Sequence, residues 1–194
     1  MKLSLLPCLS LIFGCSTKAV EPPAAPAYVD EAPLPAGWPQ PGPYDQVSLK
    51  SCPAYRAAFT HNRWQSFGFW TLFSHIKRHQ IPMTAPVELT MKKSAGRIEM
   101  ESMGFLYRND KVGALGADGQ RVEVRDVPAT QVLSYTWQGP DSSANIAIAK
   151  AAIEAALVER KLGDKPFRLL GYNGPGTPRD KRTWELQAVL DKAK

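Results

Sequence analysis

The chain has 194 residues, 44% of them hydrophobic and 22% charged, with a net charge of +6. That is enough apolar material for one domain with a sizeable core. The basic residues are scattered, as at Lys77-Arg78, Lys92-Lys93, Arg160-Lys161 and from Arg179 to Arg182, and no basic arm is interleaved with aromatics, which argues against a nucleic-acid partner.

The first fourteen residues read as a leader. Lys2 precedes an apolar run from Leu3 to Gly14 that is too short to span a bilayer and has the form of a signal peptide. Ile12-Phe13-Gly14-Cys15 resembles a bacterial lipoprotein cleavage box, which makes Cys15 the lipid-modified N-terminus; the rival reading is a plain secretory signal with an incidental cysteine. Acyl chains such as palmitate, at ~0.8 kcal/mol per buried methylene, hold a protein stably on a membrane when two or more are present. The expected location is therefore the bacterial cell envelope, at the periplasmic face or the cell surface. Residues 15–44 follow as a tether: eight prolines lie between Glu21 and Tyr44 with no apolar periodicity. At ~3.1 Å per residue, such a polyproline-like spacer holds the domain up to roughly 90 Å from the lipid. Of the three cysteines, Cys52 alone remains in the mature domain, so no internal disulfide is available, and it reads as a small buried residue.

The folded part is expected over 45–194. Asp45–Lys50 and Ala54–His61 are strand candidates, the second with Tyr55, Ala57 and Phe59 on one face. Asn62 is a plausible N-cap. In WQSFGFWTLFSHIKRHQIPMTAPVELTM, residues 64–91, Phe69, Leu72, Phe73 and Ile76 fall at i, i+3, i+4 and i+7, one apolar stripe of a helix that Pro82 must end. From Met83 the period changes to two, with Ala85, Val87, Leu89 and Met91 on the same side. Pro86 places this strand at an edge or interrupts it. A strand over Arg97–Tyr107 follows, with a bulge expected at Gly104. Residues 108–120 read as loop, and Asp118-Gly119 is the strongest turn signal in the chain. Arg121–Val127 and Ala129–Trp137 alternate again; Asp141 or Ser142 caps a helix over 143–162 that Gly163 stops. Strands around Phe167–Gly171 and Thr183–Leu190 close the chain.

This order is strand-strand-helix-strand-strand, twice. Each half holds two hairpins and a helix whose apolar stripe needs a sheet to cover. Two halves side by side give an α+β fold, a curved eight-stranded antiparallel sheet or partly closed barrel with two helices outside.

The helix ending in FWTLFSHIK followed by IPMTAPV resembles the SOUL haem-binding family, and GYNGPGTPRDKRTWEL at residues 171–186 is similar to that family's closing Gly-Tyr-Asn, proline-rich loop and Trp-bearing strand. The resemblance covers roughly residues 45–190. It implies a distorted eight-stranded barrel with a pseudo-twofold and two helices, a layout shared with bacterial effector-binding domains of the drug-sensing type.

Haem or a related tetrapyrrole is the ligand so implied, held in an apolar groove beside the first helix and the MTAPV strand. Such a site wants an imidazole or sulfur donor, an apolar slot and cations for the propionates. His75 and His79, four apart on one helical face, are the candidate axial ligands, with Met83 as a sulfur donor. Lys77, Arg78 and Arg179 are the candidate cations; Phe69 and Tyr172 are candidate walls. The bland reading gives both histidines to a solvated last turn, and the third, His61, has no assigned role. As a zinc site the pair lacks a carboxylate on the helix and any cysteine pair. Glu88, Glu99 and Glu101 read as solvent-face residues of alternating strands. No Ser/His/Asp order or paired catalytic signature marks an enzyme. The leading expectation is thus a monomeric binding protein tethered to a membrane by lipid. The rivals are a module for another amphipathic molecule and, from a different class, a hydrolase of small ligands.

Overall fold

The computed structural model describes residues 26–60, 65–94 and 97–192. The leader at 1–14, the lipidation call at Cys15, His61 and the proposed cap at Asn62 lie outside them.

In chain order the elements are β1 (Val47–Cys52), β2 (Tyr55–Thr60), α1 (Gln65–Arg78), β3 (Val87–Ser94), β4 (Arg97–Leu106), β5 (Gly116–Asp118), β6 (Val122–Val127), β7 (Thr130–Gln138), α2 (Ser143–Glu159), β8 (Phe167–Gly171) and β9 (Thr183–Lys192). The described strands form one antiparallel sheet in the order β1-β7-β9-β8-β3-β4-β2-β6-β5. The α+β class and the two helices agree with the sequence, but the strands number nine: Gly116–Asp118, expected as loop, pairs with Val122–Val124 through the turn at Gly119.

The pseudo-twofold runs between β3 and β8. Outward from that pair come β4, β2 and β6 on one side and β9, β7 and β1 on the other. The expected β1–β2 and β6–β7 hairpins therefore do not exist. The first strand of each half pairs with the second strand of the other, β1 with β7 and β6 with β2. Only Pro53-Ala54 joins β1 to β2, and only Pro128-Ala129 joins β6 to β7. A flat sheet would set each of those joined pairs roughly 29 Å apart, six spacings of ~4.8 Å. The linkers reach about 11 Å. The sheet must curl toward a barrel, and the two Pro-Ala crossings hold it there.

The helices lie on the outside of the curl. On α1, Leu72 and Ile76 are buried against β2, β4 and β6, and on α2, Ala149, Ile153 and Leu157 are buried against β7 and β9. Ser142 caps α2 by accepting the Asn145 N–H at 3.2 Å. The C-terminal stop is Lys161 at φ 55°, not Gly163, and α1 ends the same way through Gln80 at φ 55°.

Two strand expectations are corrected. The strand placed at Met83 begins at Val87, after a cis Ala85–Pro86 peptide, so Pro86 interrupts and Met83–Ala85 form a loop. It is also not an edge, since β3 lies between β4 and β8. The bulge expected at Gly104 falls at Glu101, where Thr90 faces Ser102 but Met91 faces Met100. Gly104 instead makes room for Phe59, whose ring would lie 2.6 Å from a Cβ there.

The Pro-rich segment is not a free spacer where it is described. Residues 26–44 lie along the sheet: Trp38 is buried, Ala36 N–H donates to Arg108 O at 2.9 Å, and Ala85 N–H donates to Pro33 O at 3.1 Å. Glu31 accepts from Gly174 N–H at 2.6 Å and from the Thr177 hydroxyl, pinning the 171–178 loop. Trp38 and Leu34 join Tyr55, Phe59 and Leu170 in a second core inside the curl.

Candidate functional site

The proline that breaks the alternation at Met83–Pro86 opens a cleft. One wall is α1, through Phe69; another is the loop Met83–Ala85; a third is the glycine-rich turn after β8, at Gly171–Pro175. Val87, Leu89, Met103 and Trp184 make an apolar floor, and residues 31–33 form part of the rim. The cleft holds about 680 Å³, within the range of roughly 300–1,000 Å³ usual for small-molecule sites.

Its polar groups are few. Arg182 and Asp141 sit among the lining residues with Glu31. Arg182 Nε donates to Thr177 O at 2.9 Å, while the exposed Arg179 approaches Asp141 at 3.9 Å. Trp184 is 92% buried, and its indole N–H has no hydrogen-bond partner among the described residues. Leaving a buried donor unmade costs about 1–3 kcal/mol; the nitrogen is shut off even with the cleft open, so the ring lines the cleft through its carbon atoms. Gly171 is required beneath it, because a Cβ there would lie 2.8 Å from Trp184 Cζ3.

Of the residues singled out in the sequence, Phe69, Met83 and Tyr172 meet at this cleft. Tyr172 turns its hydroxyl inward, donating to Glu185 Oε2 at 3.1 Å, and burial together with the Glu185 carboxylate pushes its pKa well above the usual value. Arg179 stands near the rim. His75, His79, Lys77 and Arg78 do not line the cleft. They follow Phe69 along α1, His75 by about 9 Å of helix rise.

Those histidines have their own surroundings. His75 is 3% exposed; its Nε2 lies 2.7 Å from the Tyr107 hydroxyl and its Nδ1 contacts Asp118 Oδ2. His79 Nε2 is 3.1 Å from the same oxygen, and Arg78 pairs with it too. The His75 hydrogen bond, with those from Arg78 and His79, holds the Asp118 carboxyl down at about 2. Burial, reinforced by the Asp118 charge, pushes Tyr107 up to about 12. The carboxylate missing from the helix thus arrives from β5, at the Asp-Gly turn. Lys77 Nζ sits over the Phe73 ring at 5.4 Å.

Inside the curl the sequence reading missed a polar network. Glu88, expected at the solvent face, is 6% exposed and accepts from the Tyr55 hydroxyl at 2.6 Å and from Arg168 at 3.3 Å. Arg168 also donates to Gln187 Oε1 at 2.7 Å and to Cys52 Sγ at 3.3 Å. Gln187 donates to Glu185, which takes Lys50 at 2.9 Å. Burial disfavours the Arg168 charge most strongly, but the Glu88 carboxylate together with Tyr55, Cys52 and Tyr172 outweighs it and holds the pKa above the ordinary value. Burial also raises the Cys52 thiol, which keeps it protonated and inert. Glu99 and Glu101 are exposed, as expected.

Comparison with known proteins gives a family and a fold. Residues 42–187 match the family model described as SOUL heme-binding protein. No curated protein sequence matches the chain. Among solved structures, EcmrR in an EcmrR–DNA complex is 15% identical with a TM-score of 0.56, over 76% of this chain and 58% of that one. The isolated EcmrR C-terminal domain is 15% identical, TM-score 0.55, over 76% of this chain and 98% of that one. A protein described as a hydrolase from Listeria innocua is 12% identical, TM-score 0.53, over 77% and 94%. At such identities the likeness is one of fold.

Proposed function

The chain belongs to the SOUL heme-binding protein family, and on that premise we propose that it binds haem or a related tetrapyrrole in the apolar cleft between α1 and the 171–184 segment. The observation that carries this reading is the cleft itself: about 680 Å³, floored by Val87, Leu89, Met103 and Trp184. A planar apolar guest suits that floor, and its carboxylates have Arg182 in the lining and Arg179 near the rim.

The donor set fits a tetrapyrrole held mainly by apolar contact. The sulfur atoms available in the lining are those of Met83 and Met103, while neither His75 nor His79 is there. A bound haem supplies the redox-active iron and its Soret absorption. The chain's own residues exclude water from one face of the guest and orient its charged edge. The reading also includes a lipid anchor at Cys15, which places the domain at a membrane of the cell envelope. The attachment proposed is through the acyl chains; no helix among the described residues is long and apolar enough to cross a bilayer.

The test is a Soret titration of the purified domain with Phe69→Ala and Met83→Ala alongside. Saturable binding at micromolar haem that weakens about tenfold or more in both variants is the expected result. No saturable shift in the unaltered protein overturns the reading. Incorporation of labelled palmitate that Cys15→Ser abolishes tests the anchor. A second reading is favoured by a lining that, among the described residues, offers no imidazole: the cleft takes another amphipathic aromatic molecule. A thermal-shift screen in which non-porphyrin aromatics stabilise the domain and haem does not selects it.

A further inference from the structure

We propose that His75, His79 and Asp118 form a zinc-binding site at the C-terminal end of α1, separate from the cleft. One ligand atom from each, a ring nitrogen from either histidine and a carboxylate oxygen, lies within 4.8 Å of the other two. His75 on α1 and His79 one residue past its end face one way, spaced i, i+4 with the His79 N–H donating to His75 O at 3.1 Å, and their ring centroids are 4.7 Å apart. The carboxylate comes from a different element, at the end of β5 just before the turn at Gly119. The site is thus closed only by folding.

Three features of this cluster suit a bound cation better than a simple ion pair. First, two imidazoles and a carboxylate are a nitrogen-rich set, which suits zinc and disfavours calcium or magnesium, whose ligands are oxygen. Second, His75 is buried with its other nitrogen 2.7 Å from the Tyr107 hydroxyl. A metal-binding histidine needs a partner for its non-ligating N–H, which fixes the tautomer. The phenol serves both states without moving: it donates to Nε2 when Nδ1–H faces Asp118, and accepts Nε2–H when Nδ1 holds the metal. Third, His79 and Asp118 are 46% and 26% exposed at the side chain, so a fourth position opens to water. Arg78 is the competitor. It pairs with Asp118 through a side chain that is 59% exposed, free to swing away when a cation arrives.

To admit the ion, the tight His75 Nδ1–Asp118 Oδ2 contact must open and Arg78 must leave that oxygen. Bonds of about 2.0–2.2 Å set tetrahedral ligand atoms roughly 3.4 Å apart, and His79 Nε2 already lies 3.1 Å from Asp118 Oδ2.

The test uses the full chain, purified without a histidine tag, and titrates it with zinc chloride by calorimetry and with cobalt(II) by visible absorption. One equivalent is expected, with the ligand-field bands of four-coordinate cobalt. His79→Ala and Asp118→Asn, both at partly exposed positions, should each weaken zinc at least tenfold, and Tyr107→Phe should weaken it about 10- to 100-fold. Arg78→Ala, which removes only the competing cation, should tighten it. Absence of saturable binding overturns the proposal, as does zinc affinity unchanged in both His79→Ala and Asp118→Asn. Haem binding is read separately at the Soret band, so either proposal can fail alone.

Discussion

The two faces of the sheet are built on different principles. Outside the curl, α1 and α2 cover an apolar surface of Leu89, Phe105, Leu133 and Leu186, and the cleft is a gap in that cover. Inside it, Glu88, Arg168, Glu185 and Gln187 are all buried and joined to one another, and the segment 26–44 lies over them with Trp38. Stability outside rests on volume and apolar area, which tolerate a gap where a guest can sit. Stability inside rests on completed pairing, which tolerates no missing partner. The proposed ligand site belongs to the first kind of surface because there an empty space leaves no charge stranded.

The largest expected effect breaks the inner network. Arg168→Ala leaves Glu88 buried beside Tyr55 with no cation, and should cost about 3–5 kcal/mol in chemical denaturation. Glu88→Leu with Arg168→Met, which removes both charges and keeps the volume, should recover most of that loss. Equal losses in the single and double variants would mean that the inner face, too, is held by shape.

The same contrast explains what the sequence disclosed. Outer-face residues follow their periods: Phe69, Leu72, Phe73 and Ile76 on α1, and Trp184, Leu186 and Ala188 on β9, all pack where spacing puts them. The inner face defeated the rule that the second set of an alternating strand meets water, because β3, β8 and β9 are buried on both sides. Glu88 and Arg168 sit at alternating positions that look solvated and are not. The strand exchange is hidden for a similar reason, since sequential strands with short linkers look like hairpins. A signal was there: Cys52-Pro53-Ala54-Tyr55 and Val127-Pro128-Ala129-Thr130 place the same Pro-Ala pair at both crossings. At the site, MTAPV and Phe69 led to the cleft, whereas Asp118 was read only as a turn residue. Its partners lie 39 and 43 positions away, beyond any local spacing.

A middle-sized effect sharpens the outer half of the comparison. Gly171→Ala puts a methyl against the Trp184 ring, which must tilt into the cleft or displace its neighbours. Overpacking of this kind costs about 1–3 kcal/mol. Because the ring is also the cleft floor, ligand affinity should fall by more than stability does. A variant that lost stability while binding the same ligand unchanged would show that the ring yields away from the cleft.

The smallest effect concerns the strap over the inner face. Tyr28 packs edge-on against Tyr172 at 5.7 Å between ring centroids, and its buried hydroxyl has no hydrogen-bond partner among the described residues. Burial, with Asp30 and Glu31 nearby, raises its pKa to about 12. An acid whose folded pKa is raised stays neutral in the folded chain while it ionises in the unfolded one. Its contribution is complete below about pH 10, the ordinary tyrosine value, and is lost as pH rises toward 12. Tyr28→Phe removes both the unmade hydrogen bond and the titration. It should leave neutral stability unchanged or raised by up to about 1 kcal/mol, and flatten the alkaline limb of a denaturation series between pH 10 and 12. An unaltered limb would assign the alkaline loss to the tyrosines beneath the strap, and the inner face would then be sealed by its own network instead of by the segment laid across it.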